Sequence, residues 1–89
     1  MTQKVLTDVL MKYGPAEREG DEVRLGKDAE ASVFVSVGDE TLTLQRVGAV
    51  ELHHDYLVIS TRRDEHYVMA YEDVRVVRFG PRGKKAGLV

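Results

Sequence analysis

The pattern that most constrains this chain is the alternation of apolar and polar side chains on both sides of Gly38-Asp39. The apolar positions in that pattern are Val33, Val35, Val37, Leu42 and Leu44. A glycine-containing dipeptide between two alternating segments is typical of a β-hairpin with a two-residue loop. With this loop, Val35 lies opposite Leu42, and the same register pairs Val33 with Leu44. The sequence therefore predicts a hairpin with one buried apolar face.

Three more strands are predicted C-terminal to this hairpin. They are Tyr56–Thr61, His66–Tyr71 and Val74–Phe79, all rich in β-forming residues. Gly80-Pro81 ends the last of them. Gly48 lies inside a second strand that would otherwise be unusually long, and glycine there is typical of a bulge or a sharp bend.

A second hairpin is predicted across the polar turn that follows Thr61. With Arg63-Asp64 as its loop, the expected pairs are Leu57 with Ala70, Ile59 with Val68, and Thr61 with His66. Tyr67, Met69 and Tyr71 then share one face of their strand, because side chains alternate along a strand. Together with Phe34, they are expected to form a subunit interface or a ligand platform.

The first 30 residues divide into a helix and a polar segment. An amphipathic helix is predicted over residues 1–14, with Thr2 as N-cap and an end at Gly14-Pro15. Its apolar stripe is Val5, Leu6, Val9, Leu10 and Tyr13. The stripe predicts that the helix closes one end of the domain or docks on a partner. Residues 15–30 are polar and predict a linker with at most one short edge strand.

The size of the chain restricts how it can be stabilised. A domain of 89 residues has one small core, and the absence of cysteine excludes disulfides and thiolate metal sites. Oligomerisation is the remaining common source of stability. The start of the chain does not resemble a signal peptide, and no apolar run is long enough for a bilayer. We therefore expect a cytoplasmic protein without a membrane partner.

The order of elements predicts a mainly β fold behind an N-terminal α-helix. Residues 31–80 are expected to form a five-strand, SH3/Sm-like small barrel, and residues 81–89 a flexible basic tail. The passage from Gly48–Glu51 into His54–Ile59 resembles the second-to-third strand passage of the Sm-like barrels, which include bacterial Hfq. SH3-like barrels of the PRC type also end in a polar turn and a Val-x-x-Val strand.

The Sm-like resemblance implies a ring oligomer that binds single-stranded RNA. Hfq proteins read RNA with a Tyr-Lys-His triplet at the inner pore. The matching stretch in this chain is Ala70-Tyr71-Glu72, where an acid replaces the base.

The sequence contains no recognisable catalytic set. Its serines, Ser32, Ser36 and Ser60, lie inside predicted strands, and no glycine loop precedes a helix as phosphate binding would require. His53, His54, Asp55 and His66 are the candidate metal ligands. Neighbouring strand residues point to opposite faces, so convergence on one ion is not expected. These histidines are expected in exposed turns, with an intersubunit or pH-sensitive role as the alternative. We predict no enzyme activity, no cofactor, no metal and no small-molecule substrate.

The charges are distributed unevenly along the chain. All 15 acidic residues lie within residues 1–73, while residues 74–89 carry five basic residues and no acid. Arg82, Lys84 and Lys85 are the candidate contacts for a nucleic acid or another polyanion, or for the acidic body of a neighbouring subunit. The leading interpretation is a non-catalytic module that forms a homo-oligomer or binds a protein partner through Phe34, Tyr67, Met69 and Tyr71. The alternative is an Sm-like ring that binds RNA.

Overall fold

The structure is a computed structural model that describes residues 1–14, 16–27 and 29–80. Its first element is the helix α1 (Gln3–Tyr13), whose N-cap Thr2 accepts a hydrogen bond from the Val5 N–H through its side chain at 3.1 Å. The helix ends at Gly14, as predicted. Leu6 and Leu10 are its buried residues, whereas Val5 and Tyr13 of the predicted stripe are exposed. No helix in the described ranges is long and apolar enough to cross a membrane.

Eight strands follow within those ranges: β1 (Ala16–Glu19), β2 (Glu22–Leu25), β3 (Glu30–Val37), β4 (Glu40–Leu44), β5 (Val47–Leu52), β6 (Leu57–Thr61), β7 (His66–Met69) and β8 (Val74–Gly80). They form two antiparallel sheets, a large one of order β1-β2-β5-β6-β7 and a small one of order β4-β3-β8. A mainly β fold behind an N-terminal helix is confirmed. Neither described sheet closes on itself, so the predicted five-strand barrel is not confirmed.

The hairpin β3–β4 has the predicted register. Val35 lies opposite Leu42 and Val33 opposite Leu44, across the two-residue loop Gly38-Asp39. Gly38 has a φ of 61°, which a residue with a side chain rarely adopts. The alternation places the apolar side chains of the hairpin on one face. Val33 and Val35 on this face are buried in the core, whereas Leu42 remains 42% exposed.

The predicted register of the hairpin β6–β7 is wrong by one residue. Val68 lies opposite Val58, and Tyr67 occupies the position opposite Ile59 that was predicted for Val68. The loop contains three residues, Arg62–Asp64, and Asp64 closes it with a left-handed φ of 65°. Because a shift of one residue exchanges the two faces of a strand, Val68 points outward and is 68% exposed.

The segment predicted as a linker contains two strands instead of at most one. β1 and β2 form a hairpin, and β2 lies between β1 and β5 in the large sheet. Val23 and Leu25 on β2 are buried in the core. The segment has a polar composition because Glu17, Glu19 and Glu22 alternate with the inward-facing residues, so only one face of this hairpin is apolar.

The chain passes from the small sheet to the large one between β4 and β5. Arg46 makes this bend with a φ of 58°, and Gly48 lies at a shift of register between β5 and β6, which confirms the predicted bulge. The core is formed by Leu6, Leu10, Val23, Leu25, Ala29, Ala31, Val33, Val35, Leu44, Val47, Val50, Leu52, Leu57, Ile59 and Val74. One core therefore joins the helix and the inner faces of both sheets.

Candidate binding surfaces

The four residues predicted to form an interface lie on different parts of the molecule. Tyr67, Met69 and Tyr71 are partly buried and pack against the core. The Tyr71 hydroxyl donates a hydrogen bond to the carbonyl oxygen of His53 at 2.6 Å. Burial raises the pKa of Tyr71; the hydrogen bond acts in the opposite direction and the Asp21 carboxylate adds to the rise. Phe34 lies apart from these three residues, on the outer face of the small sheet. The structure therefore does not bring the four predicted interface residues together.

The outer face of the small sheet carries an apolar pair between polar residues. Phe34 lies opposite Val76 on β8 and opposite Thr43 on β4, and we call these three residues the Phe34 face. Val76 is 50% exposed on a strand whose only neighbour among the described strands is β3. Arg75 reaches this face, where its Nε donates to Ser36 Oγ at 2.8 Å. The surface is thus apolar at its centre and basic beside it.

The outer face of the large sheet has the opposite charge. Glu19 lies opposite Glu22, and Glu22 lies opposite Glu51, so that three carboxylates form an acidic row across β1, β2 and β5. Val58 and Val68 continue the same row on β6 and β7. Like charges directly opposite each other destabilise a sheet. Two of the three carboxylates have partners within the chain, because Arg24 Nη2 lies 3.0 Å from Glu22 and His53 Nε2 lies 2.9 Å from Glu51.

Five basic residues that are distant in sequence meet where the chain bends between the sheets. They are Lys27, Arg46, Arg62, Arg63 and Arg78, which we call the basic corner. Arg46 lines all three small clefts of this corner, and two carboxylates, Glu30 and Glu65, also line them. Arg62 is held in place by hydrogen bonds from its Nη2 to the carbonyl oxygens of Gly26 at 2.7 Å and Ala29 at 3.3 Å. Sequence reasoning missed this site, because only Arg62 and Arg63 are neighbours in the chain.

The structure places each histidine beside one carboxylate. His53 Nε2 lies 2.9 Å from Glu51, His54 Nε2 lies 3.7 Å from Asp55, and His66 Nε2 lies 3.5 Å from Asp64. In the part of the chain that the structure describes, no three His, Asp or Glu side chains are grouped as a metal site requires. His53 also stacks on Tyr56 with a centroid distance of 4.5 Å. These contacts support a structural role for His53 within its turn.

Ser60, His66 and Asp64 have an arrangement similar to a catalytic triad. The Ser60 Oγ lies 2.8 Å from His66 Nδ1. The Asp64 carboxylate is 95% exposed and, at 3.5 Å from the ring, too distant to orient the histidine. β6 lies between β5 and β7, so the backbone N–H groups around Ser60 belong to the sheet and do not form an oxyanion hole. The arrangement is best described as a cross-strand hydrogen bond on the outer face.

The candidate polyanion contacts Arg82, Lys84 and Lys85 lie outside the described residues. Gly80, the last residue of β8, lines one of the clefts of the basic corner together with Arg46 and Arg78. Arg46 and Arg78 of the corner therefore lie beside the last residue of β8. No known protein family, no curated protein and no solved structure matches this chain.

Proposed function

We propose that this protein is a non-catalytic assembly module that binds a second copy of itself through the Phe34 face. The observation that carries the proposal is the cross-strand pair of Phe34 and Val76 on the outer face of the small sheet. It lies beside an edge of β8 that pairs with none of the described strands. Half of the Val76 surface is exposed there. A long, apolar edge strand that has no partner is a ready site for association with another chain.

Charge complementarity favours a second copy as the partner. Arg75 adjoins the Phe34 face, whereas Glu51 adjoins Val58 and Val68 on the outer face of the large sheet. Placing one face on the other would bring apolar side chains into contact at the centre and oppose arginine and glutamate at the rim. Because the two faces differ, such a contact is heterologous and leads to a ring or to a filament.

We further propose that the two sheets are the halves of an SH3/Sm-like small barrel. β4 and β5 would act as one strand that bends at Gln45 and Arg46, which places the barrel strands in the order β8-β3-β4/β5-β6-β7. The hairpin β1–β2 would be an addition to this barrel, paired with β5 through β2. This order is consistent with the ring oligomer that the Sm-like resemblance implies.

The oligomeric state of the protein tests self-association. Light scattering and native mass spectrometry at micromolar concentration are expected to show an oligomer that Val76→Glu converts to a folded monomer. Val37→Glu introduces the same charge at a residue that is 56% exposed at the end of the β3–β4 hairpin, away from the Phe34 face, and is expected to leave the oligomer unchanged. A wild-type monomer across this concentration range would contradict the proposal.

A charge-exchange experiment tests the choice of partner face. Arg75→Glu and Glu51→Lys are each expected to weaken association, because each variant opposes like charges across the contact. In an equimolar mixture, both contacts between unlike variants bring opposite charges together, so the mixture is expected to recover the oligomer. If the mixture stays monomeric although both variants fold, the acidic row is not the surface that Arg75 meets.

A second candidate function is the binding of single-stranded RNA by the ring. It is favoured by the basic corner and by the basic residues Arg82, Lys84 and Lys85 that follow Gly80 in the sequence. Binding is expected to weaken steeply as salt is raised, and to weaken further when residues 81–89 are deleted. Absence of RNA binding at low salt would exclude this function without affecting the proposal of self-association.

A further inference from the structure

The basic corner contains a cleft suited to a small anion. It has a volume of about 230 Å³ and is lined by Glu30, Ser32, Gln45, Arg46, Arg78 and Gly80. Ser32 and Arg78 lie opposite each other on β3 and β8, and Gln45 follows β4 on the other side of β3. Two strands and the bend after β4 therefore present polar side chains to one small volume.

We propose that this cleft binds a phosphate group between the guanidinium groups of Arg46 and Arg78. Arginine matches phosphate because its planar fork of N–H donors forms two parallel hydrogen bonds to phosphate oxygens. The Ser32 hydroxyl and the Gln45 amide supply neutral donors for the remaining oxygens. Within the described ranges, neither arginine side chain has a hydrogen-bond or ion-pair partner. None of the described residues therefore competes with a ligand for these guanidinium groups through such a bond.

The backbone at Arg46 supports a role in binding. With a φ of 58°, Arg46 adopts the left-handed conformation, which glycine and asparagine accept more easily than arginine does. The bend itself does not need an arginine, because a glycine would turn the chain with less strain. An arginine in a strained conformation at the centre of three clefts indicates that its charge is useful there.

The charge of the surroundings also favours an anion. Five of the ten Lys and Arg residues within residues 1–80 line the clefts of the corner, against two carboxylates, Glu30 and Glu65. Asp28 lies outside the described residues. Glu30 lines the proposed cleft and would repel a phosphate, which makes it a useful position for a test.

Binding is tested by NMR titration of the folded protein at constant ionic strength with inorganic phosphate, a nucleoside monophosphate and a single-stranded RNA oligonucleotide. We expect the amide signals of Ser32, Gln45 and Arg46 to shift with at least one of them. An oligonucleotide that binds much more tightly than the monophosphate identifies a phosphodiester chain as the ligand, and similar affinities identify a small phosphate compound. Absence of any shift with all three ligands overturns the proposal.

Substitutions show whether the cleft is responsible. Arg46→Gly and Arg78→Gln are each expected to lower the affinity about tenfold, which corresponds to the loss of one charge-assisted contact. Glu30→Gln is expected to raise it, because a repelling charge is removed. Arg18→Gln is the matched control, since Arg18 is an exposed arginine on β1 that lines none of the three clefts. If Arg46→Gly binds phosphate as well as this control does, the site is elsewhere.

Stability and assembly provide independent measurements. Arg46→Gly is expected to raise the melting temperature while it lowers the affinity, because glycine relieves the backbone strain. A merely structural role of Arg46 predicts a lower melting temperature and unchanged affinity. Val76→Asn removes the apolar contact without adding a charge next to Arg78, so it is expected to weaken self-association and leave phosphate binding intact. Failure of either proposal can then be recognised separately.

Discussion

The hairpins β3–β4 and β6–β7 reverse the chain through loops of different length. The first turns over two residues, Gly38-Asp39, with Val37 opposite Glu40. The second turns over three residues, Arg62–Asp64, and is closed by a hydrogen bond of 2.9 Å from the Thr61 N–H to the Glu65 carbonyl. Inside this loop, the hydroxyl of Thr61 also forms side-chain hydrogen bonds. Among the described residues, the first loop has no bonds of this kind.

This difference in loop length decides which side chains are available to a partner. In the first hairpin Val33 and Val35 enter the core and Phe34 points outward. In the second, the extra loop residue directs Tyr67 toward the core and Val68 toward the solvent. One residue in a turn therefore determines whether an aromatic or an aliphatic side chain is presented on the surface.

The largest expected effect concerns the inward-facing residues of the two hairpins. Leu57 on β6 is fully buried, so Leu57→Ala should lower the free energy of unfolding by about 2–5 kcal/mol. Leu42→Ala removes the same atoms from a residue that is 42% exposed on β4, and should cost less than about 1 kcal/mol. Urea unfolding followed by circular dichroism measures both. Equal losses would show that the core covers the end of the first hairpin.

Thr61 distinguishes the second loop from the first. Its hydroxyl accepts hydrogen bonds from the N–H groups of Arg63 and Glu65, each at 3.3 Å, and it is 7% exposed. Thr61→Val leaves both donors without this acceptor and should lower the free energy of unfolding by about 1–2 kcal/mol. Thr61→Ser keeps the hydroxyl and serves as the control in the same urea experiment. If Val and Ser behave alike, the loop does not depend on these bonds.

Gly38 tests the conformation of the first loop. A Cβ at Gly38 meets no atom within 4 Å, so the effect of Gly38→Ala comes from the backbone φ of 61° and not from a clash. The substitution should lower the free energy of unfolding by about 1 kcal/mol. Gly80→Ala, at a glycine with equally open space and no left-handed φ, is the control. Similar losses at both positions would refute the conformational explanation.

Asp64 is expected to give the smallest effect, and of opposite sign. Asp64 adopts a φ of 65° in the second loop and is exposed, so Asp64→Gly should stabilise the protein by about 0.5 kcal/mol. The gain is small because glycine also increases the entropy of the unfolded chain. Asp64→Asn, which also tolerates this conformation, separates the backbone effect from the loss of the carboxylate near His66. A lower melting temperature for the glycine variant would contradict the strain at Asp64.

The elements of the fold were largely predictable, and the errors have physical causes. The loop of the hairpin β3–β4 could be predicted from Gly38, because a glycine in a two-residue turn leaves one register for the alternating residues on either side. The second loop has no glycine, and Asp64 takes the left-handed position instead, which moved the register by one residue. The hairpin β1–β2 was missed because its outward side chains are carboxylates.

The candidate surfaces were less predictable than the strands. Phe34 was predicted to share an interface with Tyr67, Met69 and Tyr71, but its neighbour Val76 depends on the pairing of β3 with β8, which are distant in sequence. The acidic row and the basic corner also require contacts between strands that are not consecutive. Composition showed an acidic body and a basic tail, yet it could not show that half of the basic residues within residues 1–80, Arg46 among them, line the three clefts of the basic corner.

Local pattern alone determined the helix α1, the hairpin β3–β4 and the mainly β class, because capping, turn glycines and alternation act between neighbours in the chain. The tertiary structure decided how the strands divide into two sheets, which face Tyr67 and Val68 occupy, and where the charged side chains meet. These features depend on contacts between distant residues, whose free energy is gained only when the whole core forms around Leu57, Val23 and their neighbours.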